Sequence, residues 1–253
     1  MNVLFTICGR AGSKGAKNKN IRDFVGNPLP FYTLSAIDLY LKKNGACYER
    51  ADIVVSSDSE TLLEMFRNRR RQVFLINRDR KLANDVVRKH PDVTRNCMRV
   101  MEERLKIHYD IVIDLDITSP LRRVADIENV VKKRFQVDTD VVCTVTEARR
   151  NPYFNMVAKQ GESFSTVLPC SYTSRQQAPV VYDMNASIYA FNNEFIHSEK
   201  PVFVTADIVL MKNTGFLDID SDWDFEMMEV VARYLYQNDK EYAEIAQNIE
   251  NLI

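Results

Sequence analysis

Four basic side chains alternate with glycines in one short stretch near the start of the chain. The segment GRAGSKGAKNKN, residues 9–20, contains Arg10, Lys14, Lys17 and Lys19. Glycines let backbone N–H groups approach an anion, and three or four cations at one place would neutralise a polyphosphate. The stretch is not a Walker A loop, because Lys14 precedes Gly15 and no Lys-Ser/Thr pair follows. The alternative is an ordinary solvated basic turn, but the density of cations favours an anion site.

Two aspartates near the other end of the chain stand two residues apart. If the segment is extended, Asp218 and Asp220 project from one face and can converge on one cation. Two such carboxylates repel each other unless a cation lies between them. In the alternative interpretation they are acids before a helix whose N-cap is Ser221 or Asp222. Capping needs only one side chain, so it leaves the pair unexplained.

The apolar pattern predicts the elements that position these groups. Strands are expected over residues 3–8, 52–57, 72–76 and 110–117, and helices over 31–43, 60–70, 92–107 and 126–135. Strands separated by helices of this length imply βαβ units and a parallel sheet with helices on both faces. The cationic loop directly follows the first strand. It is therefore expected at the carboxyl edge of the sheet, where open α/β folds bind ligands.

The second half of the chain has a different order of predicted elements. After residue 138, short β-rich segments follow one another, and two helices are expected from Ser221 onward. There is no repeat and no Gly/Ser/Pro-rich linker. The sequence therefore predicts a single α/β domain over residues 1–253, with an inserted β-rich arm at about 145–190.

Composition excludes several classes of protein. The 34 Lys and Arg residues nearly balance the 35 Asp and Glu residues. The chain as a whole therefore has no excess of positive charge that would attract nucleic acid or an anionic membrane surface. No stretch reaches the roughly 20 apolar residues that span a bilayer. Five scattered cysteines without a CxxC pair, and only three histidines, argue against a disulfide framework, a structural zinc site or a histidine-rich metal site. The start of the chain lacks the features of a signal peptide, so we expect a soluble cytoplasmic protein.

Five short motifs occur in a characteristic order. They are R-x-G-S-K-G…K-N in the cationic loop, KLAND (81–85), LDITSPLR (115–122), RQQAPVVYDMNASIY (175–189) and LDIDSDWDF (217–225). Together they resemble the signature of the acylneuraminate (sialic acid) cytidylyltransferases, the CMP-sugar synthetases. The resemblance covers about residues 1–232, and five motifs in order are far more specific than any one of them.

The resemblance implies a fold, a reaction and partners. The fold would be a Rossmann-like three-layer nucleotidyltransferase fold with a mainly parallel sheet, and the β-rich arm would pack into a second subunit of a homodimer. The reaction would join CTP to a nine-carbon keto-sugar acid, giving a CMP-sugar and pyrophosphate. A divalent metal such as Mg²⁺ would assist it, and neither nucleic acid nor membrane would be a partner.

The resemblance also assigns roles to individual residues. The catalytic set would be Arg10, Lys14, Lys19 and Asp220, with Asp218 and Asp220 as the metal ligands. The nucleotide would contact Gly12, Ser13, Asn20, Thr118 and Ser119. Arg78, at the end of the third predicted strand, is a weaker candidate for the same pocket on its position alone. The sugar would contact Asp116, Arg175, Asn185 and Tyr189. Among these, Arg175 suits a keto-sugar acid, because a guanidinium binds a carboxylate through two hydrogen bonds.

Three positions depart from the family pattern. Asp116 replaces the usual Gln of L-Q-P-T-S-P, Ala186 replaces the Gly of N-G, and Phe154 stands where the sialic acid enzymes often have lysine. An ionised carboxylate cannot donate a hydrogen bond as an amide does. These changes leave the nucleotide half of the pattern intact. They suggest a relative of sialic acid as substrate, such as a legionaminic, pseudaminic or deaminated nonulosonic acid.

Two alternatives remain at this stage. The same fold and reaction could serve another nucleotide or a shorter sugar acid such as 3-deoxy-octulosonate. The chain could also be a non-catalytic nucleotide-binding regulator. A regulator has no reason to keep both the phosphate cations Arg10 and Lys14 and the metal carboxylates Asp218 and Asp220, so the enzyme is favoured.

Overall fold

A computed structural model describes residues 1–12, 15–83, 89–169, 171–212 and 218–253, without the side chains of residues 89, 90 and 175. Within these ranges the chain forms eleven strands. They are β1 (Asn2–Cys8), β2 (Asp23–Phe24), β3 (Asn27–Pro28), β4 (Arg50–Ser57), β5 (Phe74–Asn77), β6 (Ile111–Leu115), β7 (Val141–Glu147), β8 (Val157–Gln160), β9 (Ser163–Thr166), β10 (Tyr182–Asn192) and β11 (Ala206–Leu210).

Seven of these strands form one central sheet in the order β11-β7-β10-β6-β1-β4-β5. Strand β1 pairs in parallel with β4 and β6, β4 with β5, and β7 with β11. Strand β10 alone runs antiparallel, between β6 and β7. The central strands are nearly continuous apolar runs because both of their faces are covered; Val3, Leu4 and Phe5 of β1 are all fully buried.

Seven α-helices are described with the strands. They are α1 (Pro30–Asn44), α2 (Glu60–Phe66), α3 (Thr94–Leu105), α4 (Val124–Arg134), α5 (Asn193–His197), α6 (Asp222–Asn238) and α7 (Lys240–Asn248). One core cluster lies between the sheet and helices α1, α2, α4, α6 and α7. A second lies on the opposite face, under α3 and α5. The expected three-layer arrangement, with a mainly parallel sheet, is confirmed.

The predicted strands and helices of the first half agree with the structure to within two residues at each end, with one exception. Helix α2 was expected to reach residue 70 but ends at Phe66. The chain reverses there, with Arg67 extended and Asn68 in the left-handed region at φ 57°. Left-handed backbone cannot continue a right-handed helix, so the following arginines lie in a connection.

The predicted β-rich arm is smaller than the sequence indicates. The segments over 141–147, 182–192 and 206–210, which the sequence places in a strand-rich lobe, all belong to the central sheet. Of the predicted arm, the described residues that lie between β7 and β10, outside the central sheet, are 148–169 and 171–181, and β8 and β9 form a separate hairpin among them. Short β-rich segments look alike in sequence whether they pair with the central sheet or with each other, because pairing is decided by tertiary contacts.

The carboxyl ends of β1, β4 and β6 meet at one edge of the sheet. The cationic loop, the chain after Ser57 and the T-S-P turn all begin there, as expected for an open α/β fold. In the parts of the chain that the structure describes, no helix is both long enough and apolar enough to cross a bilayer.

Candidate functional site

The cationic loop starts from a tightly packed glycine. The Gly9 N–H donates a hydrogen bond to the Ser56 carbonyl at 3.1 Å, which extends the pairing of β1 with β4. A Cβ atom at Gly9 would lie 2.5 Å from Leu62 Cδ2 and 2.9 Å from Ile117 Cδ1, closer than real Cβ contacts. Glycine therefore allows the loop to leave the sheet between two packed neighbours.

Two side chains fix the course of the loop, Asp58 from the segment after β4 and Asn20 from the end of the loop itself. The Ala11 N–H donates to Asp58 Oδ1 at 2.8 Å, and Asn20 Nδ2 donates to the Arg10 carbonyl at 3.1 Å. Gly12 adopts a left-handed conformation at φ 68°, which glycine reaches without strain. A small pocket lies here, lined by Arg10, Ala11, Gly12, Asn18, Asn20, Ile21, Ser59 and Leu62. Three of the residues predicted to hold the nucleotide or its phosphates, Arg10, Gly12 and Asn20, thus lie together.

Arg78 lies beneath the same loop. Its side chain is buried, and its Nη2 donates a hydrogen bond to the Gly9 carbonyl. The same nitrogen is 3.9 Å from Asp58 Oδ1, the atom that accepts from Ala11. In this arrangement Arg78 supports the loop from below; direct contact with a nucleotide stays a prediction.

The loop then approaches the aspartate segment closely. A Cβ atom at Gly15 would overlap the carbonyl oxygen of Asp220 and lie 3.0 Å from its carbonyl carbon. Lys19 completes the junction, because its Nζ donates to the Ile219 carbonyl and lies 3.3 Å from Asp220 Oδ1. The cations and the carboxylates predicted from opposite ends of the sequence therefore meet at one place.

Asp218 is the more enclosed member of the aspartate pair. Its Oδ1 is buried and has no hydrogen-bond partner among the residues that the structure describes. Burial raises the pKa of the Asp218 carboxyl to about 6, and the nearby Asp116 carboxylate acts in the same direction. A buried carboxylate oxygen without a partner, beside two further carboxylates, suits a hard divalent cation such as Mg²⁺. The residues present therefore fit the predicted metal.

Helix capping does not account for this pair. Ser221 is the N-cap of α6: its hydroxyl accepts from the Asp224 N–H, and the Asp224 carboxylate accepts in return from the Ser221 N–H. The alternative interpretation is correct that Ser221 caps the helix. However, the acid of this capping box is Asp224, so Asp218 and Asp220 have no capping role.

The T-S-P turn lies against the aspartate segment. Asp116 Oδ1 accepts hydrogen bonds from the Thr118 N–H at 3.2 Å and from the Thr118 hydroxyl at 3.1 Å. The Thr118 carbonyl in turn accepts from the Ile219 N–H at 3.1 Å. This bond ties the turn after β6 to the segment that carries Asp218 and Asp220. Thr118 and Ser119 are both buried, and Asp116 is partly exposed.

Asn185 holds a bulge in β10. Its amide oxygen accepts from the Thr144 hydroxyl at 2.7 Å and from the Ser187 N–H at 3.2 Å, and its amide nitrogen donates to Met211 Sδ at 3.2 Å. The register of β10 against β7 shifts between Met184 and Tyr189. The buried Asn185 side chain is therefore occupied by the protein itself, and its contact with a sugar stays a prediction.

Tyr189 lies in the second core cluster. Only 8% of its surface is exposed, and its ring stacks on Phe191 with the centroids 6.3 Å apart. This position agrees with the sequence observation that SIYAF reads as an ordinary strand. A sugar-binding role for Tyr189 stays a prediction. Three further predicted residues lie outside what the structure describes: Ser13, Lys14 and the side chain of Arg175.

Comparison with known proteins decides the family. The sequence model of the cytidylyltransferases matches residues 4–248. The chain belongs to this family. It is 37% identical over 232 residues to the post-translational flagellin modification protein B of Campylobacter coli, across 91% of this chain and 95% of that protein. It is 36% identical over 229 residues to the CMP-N,N'-diacetyllegionaminic acid synthase of Campylobacter jejuni, across 90% and 93%.

A solved structure agrees on the fold. A CMP:2-keto-3-deoxy-manno-octonic acid synthetase in complex with CTP superposes with a TM-score of 0.59 at 15% identity, over 92% of this chain and 99% of that one. The resemblance to the acylneuraminate cytidylyltransferases is thus confirmed, as are the nucleotidyltransferase activity class and the Rossmann-like fold.

Sequence analysis missed Arg122, a buried arginine that holds the T-S-P turn of this cytidylyltransferase site. Arg122 is fully buried, and its Nη2 donates to the carbonyls of Asp116 and of Ser119, the latter at 2.7 Å. Burial lowers the pKa of Arg122 to about 10, whereas carboxylates around it, with Asp116 foremost, favour its charged form. Arg122 ends the quoted motif LDITSPLR, but a buried charge is rare enough that nothing in the sequence singled it out.

Proposed function

We propose that the protein couples CTP to a nine-carbon keto-sugar acid of the nonulosonate class, with the aid of a divalent metal. The observation that carries this proposal is the junction of the cationic loop with the aspartate segment, through Gly15, Lys19 and Asp220. A triphosphate needs cations around its charge, and a nucleotidyl transfer needs charge neutralisation where pyrophosphate departs. Both kinds of group are available at this one edge of the sheet.

In the proposed reaction the anomeric hydroxyl oxygen of the sugar acid attacks the α-phosphorus of CTP. The new bond joins that oxygen to phosphorus, the bond between the α-phosphorus and the bridging oxygen breaks, and pyrophosphate leaves. The hydroxyl proton is released. Arg10, Lys14 and Lys19 would hold the triphosphate and stabilise the charge that grows on the leaving group. Gly12, Ser13, Asn20, Thr118 and Ser119 would position the nucleotide, with Arg78 holding the loop.

Asp218 and Asp220 would hold the metal, and the partly exposed Asp116 adds a third carboxylate beside them. When bound there, a divalent ion would supply positive charge that offsets the charge of the departing pyrophosphate. The unpartnered Oδ1 of Asp218 supports this assignment, since a buried carboxylate oxygen without a donor is otherwise unfavourable.

For the sugar, we favour a legionaminic acid derivative over N-acetylneuraminic acid. A relative named for CMP-N,N'-diacetyllegionaminic acid is 36% identical across nine tenths of both chains. Asp116, at the usual Gln position, accepts from Thr118 and cannot donate to a sugar while ionised. Arg175 would bind the sugar carboxylate. Asn185 would act by shaping β10 beside the site and Tyr189 by lining it.

The proposal includes a homodimer built on the arm over residues 148–181. The arm exposes several large apolar side chains: Met156, Val157, Phe164, Val167, Leu168, Tyr172 and Val180. Several large apolar side chains exposed within one segment are typical of an interaction site. A second copy of the chain is the expected partner. Light scattering at micromolar concentration tests this expectation: a monomer would contradict it, and Phe164→Glu should dissociate the dimer. The cytoplasmic location stays a prediction.

The reaction is tested by pyrophosphate release. CTP, UTP, ATP and GTP are each offered with Mg²⁺ and a panel that includes N,N'-diacetyllegionaminic, pseudaminic, N-acetylneuraminic and 3-deoxy-octulosonic acids. Release should require CTP, be fastest with the legionaminic acid derivative and stop with EDTA. Preference for N-acetylneuraminate would reject the sugar assignment, and preference for another nucleotide would reject the cytidine assignment. Silence in a folded protein that binds CTP would favour a regulator.

A matched pair of variants tests the site. Asp220→Ala should lose most turnover while the protein remains folded, because Asp220 is exposed and its carboxylate pairs only with Lys19 among the contacts described. Asp222→Ala removes another exposed aspartate two residues away, which pairs with Arg22. That variant should retain wild-type turnover. Equal turnover in both variants would remove Asp220 from the metal site.

A further inference from the structure

Two of the three histidines of the chain meet one glutamate far from the candidate active site. Glu102 lies in α3, His108 follows that helix, and His197 is the last residue of α5. His108 precedes β6 and α5 follows the antiparallel β10, so both histidines lie at the edge of the sheet opposite the cationic loop. The low histidine count argues against a histidine metal site, but folding brings together residues that are up to 95 positions apart.

The inner atoms of this cluster converge. Glu102 Oε1 is 3.2 Å from His108 Nδ1 and 3.0 Å from His197 Nε2. The two imidazole rings stack with their centroids 4.3 Å apart. One ligand atom from each residue lies within 4.8 Å of the other two. Two ligands of a tetrahedral zinc ion at about 2.1 Å are separated by about 3.4 Å. The observed separations are therefore close to those of a zinc coordination shell.

The outer atoms of both rings are held by one residue. His197 Nδ1 lies 2.9 Å from the Asn193 carbonyl, and His108 Nε2 lies 3.2 Å from the side-chain oxygen of Asn193. Metal-bound histidines almost always donate their other ring N–H to such an acceptor, which fixes the tautomer that leaves the inner nitrogen free to bind. Asn193 provides this support to both histidines at once. Glu102 is also oriented, because its Oε1 accepts the Tyr109 N–H at 2.8 Å.

The surroundings allow an ion to enter. The His108 side chain is 56% exposed, whereas Glu102 and His197 are mostly buried, so the cluster is anchored inside and open on one side. Two imidazole nitrogens and one carboxylate form a borderline ligand set. Such a set suits zinc and its neighbours Co²⁺, Ni²⁺ and Cu²⁺ much better than Mg²⁺, which prefers oxygen ligands alone.

We propose that Glu102, His108 and His197 form a second metal site, specific for a zinc-type divalent ion and separate from the catalytic carboxylates. The ion would join the end of α3 to α5 across the amino edge of the sheet. Its role would be structural, since the site lies at the edge opposite the cationic loop. This proposal does not depend on the proposed reaction.

The test uses the full-length protein without a polyhistidine tag, stripped of metal and titrated with Co²⁺ and then Zn²⁺. Wild-type protein should bind one Co²⁺ ion with the visible absorption of a nitrogen-ligated, low-symmetry site, and Zn²⁺ should displace it. The melting temperature should rise with Zn²⁺, because the ion binds the folded state. His197→Ala and His108→Ala should each weaken binding by more than about 100-fold, and Asn193→Ala by about tenfold.

Matched variants separate this site from the catalytic one. Glu103→Gln changes the neighbouring exposed glutamate of α3, and Asp220→Ala changes the catalytic carboxylates; both should keep the Co²⁺ spectrum and the Zn²⁺ affinity. Because His108 is half-exposed, its variant should fold even if His197→Ala does not. Loss of the spectrum in Asp220→Ala, or undiminished Zn²⁺ binding in a folded His108→Ala variant, would overturn the proposal. So would the absence of one tightly bound ion in the wild-type protein.

Discussion

Gly15 offers the sharpest single test of how the cationic loop is placed. Substitution by alanine introduces one carbon atom, and that atom would overlap the carbonyl oxygen of Asp220. The obstacle is backbone, which cannot rotate away like the end of a side chain. The loop and the aspartate segment would have to separate by at least about 1 Å, a displacement that costs about 100-fold in rate when it misplaces reacting groups.

Gly15→Ala should therefore lower kcat/KM for CTP by about 100-fold, which corresponds to about 2.7 kcal/mol of lost transition-state stabilisation. The assay is pyrophosphate release at saturating sugar acid, with urea unfolding measured in parallel. We expect the free energy of unfolding to change much less than the activity, because Gly15 is exposed and lies outside both core clusters.

Two other glycines are the controls. A Cβ atom at Gly45 would meet no atom within 4 Å, and the φ of −59° suits alanine, so Gly45→Ala should keep wild-type turnover. Gly12→Ala also meets open space but has a left-handed backbone, so it should cost about 1 kcal/mol of strain without a clash. If Gly15→Ala turned over like Gly45→Ala, the inferred contact between the loop and Asp220 would be refuted as a requirement for activity.

Three further predictions concern the scaffold. Arg122→Met should destabilise the protein by about 3–5 kcal/mol in urea unfolding, because it leaves the carbonyls of Asp116 and Ser119 without this donor and removes a buried cation from among nearby carboxylates. Arg99→Met, which removes only an exposed pair, should stay within about 1 kcal/mol of wild type, and equal effects would contradict the inferred network. Ala186→Gly should raise the free energy of unfolding by about 0.5–1 kcal/mol, because Ala186 has a φ of 52°, a left-handed conformation that strains alanine but not glycine. A lower free energy of unfolding would show that this strain is absent. Burial raises the pKa of the Cys143 thiol to about 11, so its alkylation in the folded protein should accelerate only as the pH approaches 11. The exposed Cys47 should be labelled well before the buried Cys143; mass spectrometry locates the label, and early labelling of Cys143 would oppose this expectation.

Much of the fold is predictable from the sequence because its central strands and helices have strong local signals. A parallel strand covered on both faces must be apolar along its whole length, and amphipathic helices repeat their apolar residues every three to four positions. The position of β10 has no such signal. It lies antiparallel between β6 and β7, and its bulge depends on the hydrogen bonds of Asn185 with Thr144 and Ser187, which come from distant parts of the chain.

In the candidate site, too, some features have a local sequence signal and others have none. The glycine-rich cationic loop and the aspartate pair are visible as local motifs, since each lies within twelve consecutive residues. Neither the role of Arg122 nor the histidine cluster can be predicted from the sequence, because both depend on burial and on partners far along the chain. A count of three histidines does not reveal that folding brings two of them against the Glu102 carboxylate, which is the juxtaposition on which the proposed second metal site rests.

The carboxylates at the candidate site repel one another, and two cations of different burial hold them together. Arg122 is fully buried and hydrogen-bonded to the backbone of the T-S-P turn, so its role is fixed and its loss should be seen in stability. Lys19 meets Asp220 at 3.3 Å, and the Asp220 side chain is 82% exposed. The Lys19 side chain is only 15% exposed, so the pair faces solvent on its Asp220 side alone. Water can hydrate the exposed Asp220 carboxylate once it is released, so the ion pair is compatible with the proposed role of Lys19 in binding the triphosphate.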